Sequence, residues 1–542
     1  MKVRLRTTAV MLAVASAATL VALGTFVGCH GRYGTSDVGA TSDDFLATGR
    51  TLSFFTAIQV DPRSEDSAGP QFVTAADIDG DGLMDLVSAW NQSQPVQIHF
   101  QRRNAAAAIS FETITLAGNI PVVRVAGLGV ADFDQDGAPD VAVLVKETGD
   151  QISTTCFGGA VGEGYHGVII VYFAPVDPAQ TNQALAWTEQ PVESSRLLGT
   201  ERPAFAGPPE EEGYTSLALG DLDGDGDTEL LAALNDPCDA SNPKVLIFNN
   251  DGFGAVRDGT WSVTAMLDPF EKGPRLLDEG GLDPIRIKNV AVGDVDNDGD
   301  LDVIATYPDA VSMNVRWHRN PAIDIPDDYH CSSTDWLTGA AGQISPKNSQ
   351  FPGPFEDLGG ADMIHVGDVD GDGLLDVVVR SSGGKVIQWL KGPGFQATTP
   401  DPANPDCIVR NIPWRVYTLA EYSERVPEAI ALGDLNIDGQ PEVIASAAGG
   451  LAFFDAKVAL SVFDQWVERL IVDDQPPGQP GDAPPTTDPN VAPQEVAGTT
   501  FINSILVVDL DGDGANDLVA TFDRSGLSGL SNDALVWFRN TR

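Results

Sequence analysis

One short acidic motif occurs seven times in the chain, and this repetition limits the fold more than any other feature. Each copy follows the pattern D-x-[DN]-x-D-G-x-x-[DE], with acidic or amide side chains at positions 1, 3, 5 and 9 and glycine at position 6. Numbered in chain order, the copies place at positions 1, 3, 5 and 9 the residues Asp77, Asp79, Asp81 and Asp85 (loop 1); Asp132, Asp134, Asp136 and Asp140 (loop 2); Asp221, Asp223, Asp225 and Glu229 (loop 3); Asp294, Asp296, Asp298 and Asp302 (loop 4); Asp368, Asp370, Asp372 and Asp376 (loop 5); Asp434, Asn436, Asp438 and Glu442 (loop 6); and Asp509, Asp511, Asp513 and Asp517 (loop 7). Successive copies begin 55 to 89 residues apart, so one unit recurs with insertions of different length.

The motif has the chemistry of a cage for a hard cation. Oxygen ligands at positions 1, 3 and 5 surround one side of an ion, glycine at position 6 permits a sharp turn, and a carboxylate at position 9 completes the shell. Calcium accepts about six to eight such oxygen ligands, whereas magnesium requires a stricter octahedron. No loop contains histidine or cysteine, which disfavours zinc and copper. The sequence therefore predicts up to seven Ca²⁺ ions, bound by the side chains named above.

An EF-hand begins with a similar pattern, but it requires a glutamate at position 12 and flanking helices. Position 12 is acidic in none of the seven copies, and the flanking residues form short apolar runs that are typical of strands. Each loop is therefore expected to join two antiparallel strands. Acidic, glycine-rich turns also occur as simple solvated hairpins, but seven copies with one spacing disfavour that interpretation. Unit charges 4 Å apart repel by ~4 kcal/mol at an effective dielectric near 20, so converged carboxylates favour a bound cation.

Further strand signals follow each loop and indicate four antiparallel strands per unit. Such a unit is the blade of a β-propeller, an architecture that limits exposed sheet edges by radial repetition. Seven units predict an all-β fold of seven four-stranded blades. The last motif is followed by signals for only a second and a third strand, and the sequence ends four residues after Phe538. The last blade would therefore lack its fourth, outer strand. We therefore expect the segment 51–60 to supply the missing strand of the last blade and to close the ring.

These loops and the strands around them resemble the FG-GAP/VCBS repeats of integrin-alpha-type β-propellers. The resemblance covers the chain beyond residue 50. It implies that a cation binds in the hairpin between the first two strands of each blade, and that the protein acts in adhesion or surface recognition. Loop 6 is expected to be the weakest site, because Asn436 replaces an acidic residue there.

The N-terminal segment 1–29 is predicted to direct export rather than to fold. Basic residues precede the uncharged apolar run 9–27, as in a secretory signal. The end of this run resembles a bacterial lipobox, in which Cys29 would be lipidated; ordinary cleavage and an uncleaved anchor are the alternatives. The polar segment 30–50 is expected to be a flexible tether. The body 51–542 is therefore predicted to be extracytoplasmic, either secreted or held at the outer membrane or cell surface through its N-terminus alone.

Four cysteines remain if Cys29 carries lipid, and an even count in an exported chain suggests two disulfides. Cys156 and Cys238 follow the second strands of adjacent units, and Cys331 and Cys407 follow the third strands of another adjacent pair. These equivalent positions favour the bridges Cys156–Cys238 and Cys331–Cys407. Free buried thiols are the alternative.

Composition and the absence of catalytic motifs limit the function. The chain has 32 basic and 78 acidic residues, a formal charge of −46, which argues against a nucleic-acid ligand. The sequence contains no P-loop, nucleophile elbow or H-E-x-x-H motif, and no catalytic residue is identified. Two hypotheses remain. The first is a non-catalytic, monomeric module that binds an unidentified protein or polysaccharide; the second is a polysaccharide-processing, lyase-like enzyme on a calcium-bearing propeller.

Overall fold

The computed structural model describes residues 47–48, 51–52, 55–60, 69–91, 96–104, 108–116, 118–148, 152–154, 162–164, 167–195, 213–235, 244–252, 256–267, 275–276, 282–283, 286–295, 297, 299–308, 315–318, 320, 360–392, 399–401, 404–409, 414–421, 428–437, 439–447, 450–455, 467–473, 501–523 and 534–541. All of them belong to the unit Phe45–Arg542. The predicted signal segment 1–29 with Cys29, and most of the predicted tether 30–50, lie outside the described residues.

The described chain forms antiparallel sheets, and each main sheet is named after the loop that joins its first two strands. Six of these sheets have four strands. They are sheet 1 (Pro70–Ala76, Asp85–Trp90, Val96–Arg103, Ile109–Leu116), sheet 2 (Val122–Ala131, Asp140–Thr148, Val168–Phe173, Thr188–Pro191), sheet 3 (Gly213–Gly220, Glu229–Asn235, Lys244–Asn249, Ser262–Leu267), sheet 5 (Ala361–Gly367, Asp376–Ser381, Val386–Lys391, Arg415–Glu421), sheet 6 (Ile430–Gly433, Glu442–Ala447, Gly450–Asp455, Val467–Asp473) and sheet 7 (Phe501–Val508, Asp517–Asp523, Ala534–Asn540, Phe55–Gln59). Sheet 4 has the three strands Asn289–Gly293, Asp302–Thr306 and Val315–His318.

Short elements complete the described secondary structure. Four two-stranded pairs join Ala47–Thr48 to Thr51–Leu52, Ile152–Thr154 to Gly162–Gly164, Arg275–Leu276 to Leu282–Asp283, and Thr399–Asp401 to Asn404–Val409. Three 3₁₀ turns span Pro178–Gln180, Ala184–Ala186 and Glu193–Ser195.

The number of four-stranded blades differs from the prediction. The sequence predicts seven, whereas the described residues form six, and sheet 4 has only three strands. The chain that follows sheet 4, residues 321–359, lies outside the described residues, so no fourth strand is described there. The prediction relied on counting motifs, which identifies the first two strands of a unit but says nothing of its outer edge.

The sheets are arranged around their first strands. Each first strand contacts the first strand of the next sheet, from sheet 1 through sheet 7 and back to sheet 1. The apolar core lies between neighbouring sheets: Val87 and Ile98 of sheet 1, for example, pack in one cluster with Val143 and Ile170 of sheet 2. The second strands are buried throughout and therefore read as continuous apolar runs rather than as alternating patterns. This is a β-propeller with four-stranded antiparallel blades.

Small residues allow the first strands to approach one another. Sheets 3 to 6 have glycine as the last residue before the loop: Gly220, Gly293, Gly367 and Gly433. A Cβ atom built on Gly293 would lie 2.8 Å from Leu375 Cδ2, which is closer than real Cβ contacts. The glycines therefore serve close packing between sheets at the point where each acidic loop begins.

The two ends of the described chain meet in sheet 7. Phe55–Gln59, within the segment 51–60, pairs antiparallel with the third strand Ala534–Asn540, so that Ile58 lies opposite Trp537. The backbone N–H of Val60 extends this pairing by donating to Leu535 O at 3.0 Å. The outer strand of sheet 7 thus comes from the opposite end of the sequence.

Candidate metal-binding loops

All seven acidic loops share a left-handed backbone conformation at positions 4 and 6. The glycine at position 6 has a positive φ in every copy, between 83° and 100°. Residues with a Cβ rarely adopt this conformation, which explains the glycine at this position. Position 4 also has a positive φ in every loop, although three of the seven residues there, Gln135, Asn297 and Ile437, are not glycine. The second left-handed residue was not anticipated from the sequence, because position 4 is variable.

The turn fixes the acidic side chain at position 1. In each loop one of its carboxylate oxygens accepts the backbone N–H of the position-6 glycine, as in Gly82 N to Asp77 Oδ2 at 2.9 Å and Gly514 N to Asp509 Oδ2 at 2.9 Å. The other five loops repeat this bond at 2.7 to 3.1 Å. The remaining oxygen of position 1 is thereby oriented by the backbone before any ligand binds.

Acidic side chains converge in five of the loops. In each, three carboxylates offer one oxygen apiece, and these oxygens lie within 4.8 Å of one another. The sets are Asp77, Asp79 and Asp85; Asp132, Asp134 and Asp136; Asp221, Asp223 and Asp225; Asp368, Asp370 and Asp376; and Asp509, Asp511 and Asp517. In loop 4, Asp296 and Asp298 lie outside the described residues, as does Asp438 of loop 6. In loop 6 the Asn436 amide donates to Glu442 Oε1.

The acidic side chain at position 9 is buried in every loop and accepts the backbone N–H of position 2. In loops 1, 2, 4, 5 and 7 it also accepts a second backbone N–H, from the end of the third strand. Asp140 accepts from Phe133 N at 3.1 Å and from Ala174 N at 2.8 Å, so it joins its own loop to the end of the third strand. Burial raises the pKa of the Asp140 carboxyl to about 8. Burial likewise raises the pKa to about 7 at Asp85, Glu229, Asp376 and Asp517. A nearby cation would stabilise the charged form of these groups.

The residues present fit a hard divalent cation. The donor set consists of carboxylate oxygens, and the oxygens at position 9 each retain a second lone pair after accepting an N–H. Several buried oxygens in the loops, among them Asp77 Oδ1, Glu229 Oε1 and Asp370 Oδ1, have no hydrogen-bond partner among the described residues. Such atoms cost free energy unless a ligand satisfies them. Three of the four predicted ligands in each of loops 1, 2, 3, 5 and 7 are thus placed where a cation could be bound. The predicted ligands outside these converged sets are Asp81, Asp140, Glu229, Asp372 and Asp513.

A comparison with protein families also identifies a repeat in this region of the chain. A model of the FG-GAP-like repeat matches residues 77–143, which span loops 1 and 2. The chain thus contains an FG-GAP-like repeat, and its described residues form a β-propeller. No curated protein matches the sequence.

One solved structure with a similar fold is a lectin from Agrocybe aegerita that specifically recognises non-reducing terminal N-acetylglucosamine. It is 14% identical, with a TM-score of 0.37, and the match covers 75% of this chain and 81% of the lectin. At this level of similarity the comparison carries no argument about function. Within the described residues of the propeller, no helix has the length and apolar character needed to cross a membrane.

Basic side chains contact four of the propeller's acidic loops, and the sequence analysis missed them. Arg102 Nη1 lies 2.7 Å from Asp79 Oδ2, and Arg257 Nη2 lies 2.9 Å from Asp136 Oδ2. Lys391 Nζ lies 2.6 Å from Asp372 Oδ2, and Arg539 contacts Asp511. Lys391 and Arg539 each directly precede the residue whose backbone N–H donates to the position-9 carboxylate, Gly392 and Asn540 respectively. The equivalent positions of Lys391 and Arg539 at the end of the third strand could have been recognised from the sequence. The contact of Arg257 with loop 2, which belongs to another sheet, could not have been recognised in this way.

Side-chain amides connect neighbouring loops of the propeller. Asn250 accounts for one such contact: its Nδ2 donates to Phe133 O of loop 2 at 2.7 Å and to Thr228 O of its own loop 3 at 3.4 Å. Equivalent pairs of bonds are made by Gln101 between loops 7 and 1, by Asn320 between loops 3 and 4, and by Asn540 between loops 6 and 7. Sheets 2 and 5 have Ala174 and Gly392 at this place. We name these four amides the inter-loop clamps.

Replacing a clamp is expected to destabilise the propeller. In Asn250→Ala, the buried carbonyl groups of Phe133 and Thr228 lose a donor, which costs about 1–3 kcal/mol of unfolding free energy. Urea unfolding followed by tryptophan fluorescence measures this loss. The adjacent variant Asn249→Ala is the control, because its amide bonds only the Ser262 and Thr264 hydroxyls at an exposed position, and we expect a change within about 0.5 kcal/mol. Equal losses in both variants would contradict a role for the clamp.

Two of the three described histidines, His99 and His318, are buried. His99 is fully buried, with Nε2 2.8 Å from Ser88 Oγ and Nδ1 2.9 Å from Thr113 Oγ1. Burial lowers the pKa of His99 and of His318 to about 3, so both are neutral. The predicted disulfides are not tested, because Cys156, Cys238 and Cys331 lie outside the described residues and the Cys407 side chain is not described.

Proposed function

We propose that the chain is a non-catalytic, calcium-stabilised β-propeller that acts outside the cytoplasm as a binding module for a protein or a glycan. The convergence of three carboxylates in each of five loops carries this proposal. In it, positions 1, 3, 5 and 9 of the loops hold calcium, which supplies positive charge between the first two strands of each sheet. Sheet 4 is the seventh unit of the ring, since its first strand contacts those of sheets 3 and 5.

The proposed role in binding is supported by the rigidity of the loop-bearing edge. Every acidic loop joins a first strand to a second strand, so all of them follow the same end of their sheets. The inter-loop clamps connect neighbouring loops across sheet boundaries. A surface that is already ordered loses little conformational entropy when a partner binds. A set of clamped loops is therefore suited to recognising a macromolecule.

The absence of catalysis is proposed because the described histidines and the basic side chains at the loops are buried or paired. Burial lowers the pKa of His99 and His318 to about 3 and that of His365 to about 4, and the basic side chains at loops 1, 2 and 5 are paired with carboxylates. A lyase mechanism needs a basic side chain within reach of substrate in a cleft.

The test is a screen of the full-length chain against a glycan array and against immobilised surface proteins, in calcium and in EGTA. We expect binding that EGTA abolishes, with no turnover of the bound glycan. The same polysaccharides are incubated with the chain and followed for unsaturated product by ultraviolet absorbance. Appearance of that product would contradict the non-catalytic assignment, and the absence of any ligand in both screens would contradict the binding module.

The proposed location has its own test. A chain anchored through Cys29 should incorporate labelled palmitate in a bacterial host and fractionate with membranes, whereas Cys29→Ser should do neither. Unlabelled chain that remains in the cytoplasm would contradict both the anchor and export.

A further inference from the structure

The backbone of loop 5 leaves two particular carboxylate oxygens available for a cation. In loop 5, Asp372 Oδ1 accepts the N–H of Leu374 at 3.0 Å, while Asp372 Oδ2 and Asp370 Oδ2 make no bond to the loop backbone. Both of these Oδ2 atoms contact the ammonium group of Lys391. A single basic side chain thus lies on the oxygens that positions 3 and 5 have available for a metal.

Loops 1 and 2 repeat this arrangement with an arginine. Arg102 Nη1 lies 2.7 Å from Asp79 Oδ2 and 3.4 Å from Asp81 Oδ2, again at positions 3 and 5. Arg257 contacts Asp134 Oδ2 through Nε and lies 2.9 Å from Asp136 Oδ2 through Nη2. The three side chains come from different places in the chain, yet they reach the same pair of oxygens.

Loop 3 has no basic side chain at these oxygens within the part of the chain that the structure describes. Its backbone bonds are the same: Asp223 Oδ1 accepts Asp225 N at 3.2 Å, and Asp225 Oδ1 accepts Asp227 N at 2.9 Å. No described ion pair involves either residue. The position of Lys391 is taken in sheet 3 by Asn249, whose amide bonds the Ser262 and Thr264 hydroxyls instead.

Loops 3 and 4 each contain five acidic residues, more than any of the other five loops. Asp227 adds an acidic residue at position 7, and Glu229, only 1% exposed, has an Oε1 with no hydrogen-bond partner among the described residues. Among the described residues, no neighbouring positive charge therefore opposes the attraction of a divalent ion to this loop.

We propose that the loops form two classes toward calcium: loop 3 binds it tightly, whereas Lys391, Arg102 and Arg257 compete with it at loops 5, 1 and 2. This inference rests on the proposed function, since it presumes that the loops bind calcium. When no metal is bound, the lysine or arginine side chain neutralises part of the negative charge of its loop. An incoming Ca²⁺ must therefore displace this side chain or share the carboxylate oxygens with it. The chain would then bind calcium in two steps, one at low and one at higher calcium concentration.

The test is a calorimetric titration of the full-length, metal-free chain with calcium at low ionic strength. We expect a tight class, from which Asp225→Asn removes one site, and a weaker group of sites. In Lys391→Met, one site should move from the weaker group to the tight one, with an affinity increase of at least tenfold. Arg102→Gln should do the same at loop 1, which keeps the test valid if one variant folds poorly.

The control is Lys146→Met, which removes one positive charge from the second strand of sheet 2, away from its loop. It should leave both classes unchanged. An unchanged affinity in Lys391→Met and Arg102→Gln, or an equal gain in Lys146→Met, would overturn the competition while calcium binding itself stands. A chain that binds no calcium at all would instead overturn the proposed function.

Discussion

Removing calcium with EGTA is expected to lower the melting temperature of the propeller by on the order of 10 °C. An ion that binds the folded chain alone stabilises it by about 2.7 kcal/mol per site at 100 times its Kd. Five loops with converged carboxylates therefore contribute about 13 kcal/mol, which is comparable to the whole stability of about 5–15 kcal/mol typical of folded proteins. Differential scanning calorimetry in calcium and in EGTA measures the shift.

The loops differ in how they tolerate this removal. At loops 1, 2 and 5 the resident arginine or lysine still neutralises carboxylates, whereas loop 3 has no such partner among the described residues. We therefore expect sheet 3 to lose protection from hydrogen exchange before sheets 1 and 5 do. The control is the same chain titrated with EGTA that has first been saturated with calcium, so that the chelator is present but removes no metal. Superimposable thermal transitions in both solutions would show that the loops do not depend on metal.

The repeated loop could be predicted from sequence because its geometry is local. Glycine at position 6 and the acid at position 1 lie five residues apart and are joined by one hydrogen bond, so a nine-residue pattern encodes them. The convergence of Asp77, Asp79 and Asp85 follows from the same turn. The pairing of first, second and third strands also follows, since each joins its neighbour in sequence.

Contacts between units were not predictable from such a pattern. Arg257 reaches loop 2 from sheet 3, and the clamps join carbonyl groups of loops that are far apart in the chain, as with Asn540 and Leu435 O. The clamp residue is Gln101 in sheet 1 but an asparagine in sheets 3, 4 and 7. The number of residues between a loop and its clamp also varies, because the second and third strands differ in length. The count of four-stranded blades failed for a related reason: an outer strand is specified by packing against its sheet and not by the motif.

Removing the strand that closes sheet 7 is expected to cost on the order of 5 kcal/mol. Trp537 and Leu535 are fully buried and share an apolar cluster with Val60 and the partly buried Ile58. Exposing part of one tryptophan and one leucine at about 25 cal/mol per Å² gives a loss of this size. It would also leave Ala534–Asn540 as an unpaired edge, which promotes aggregation.

Two deletions separate the closing strand from the rest of the N-terminus. A chain lacking residues 1–44 retains Phe55–Gln59 and should melt like the full-length protein, because the unit Phe45–Arg542 is left whole. A chain lacking residues 1–60 should melt several degrees lower and elute earlier in gel filtration. Adding a peptide of residues 51–60 should restore the transition, whereas the same peptide with Ile58→Asp should not, because a charge opposite Trp537 would be buried. Identical melting of the two deletions would mean that the ring does not depend on its terminal strand.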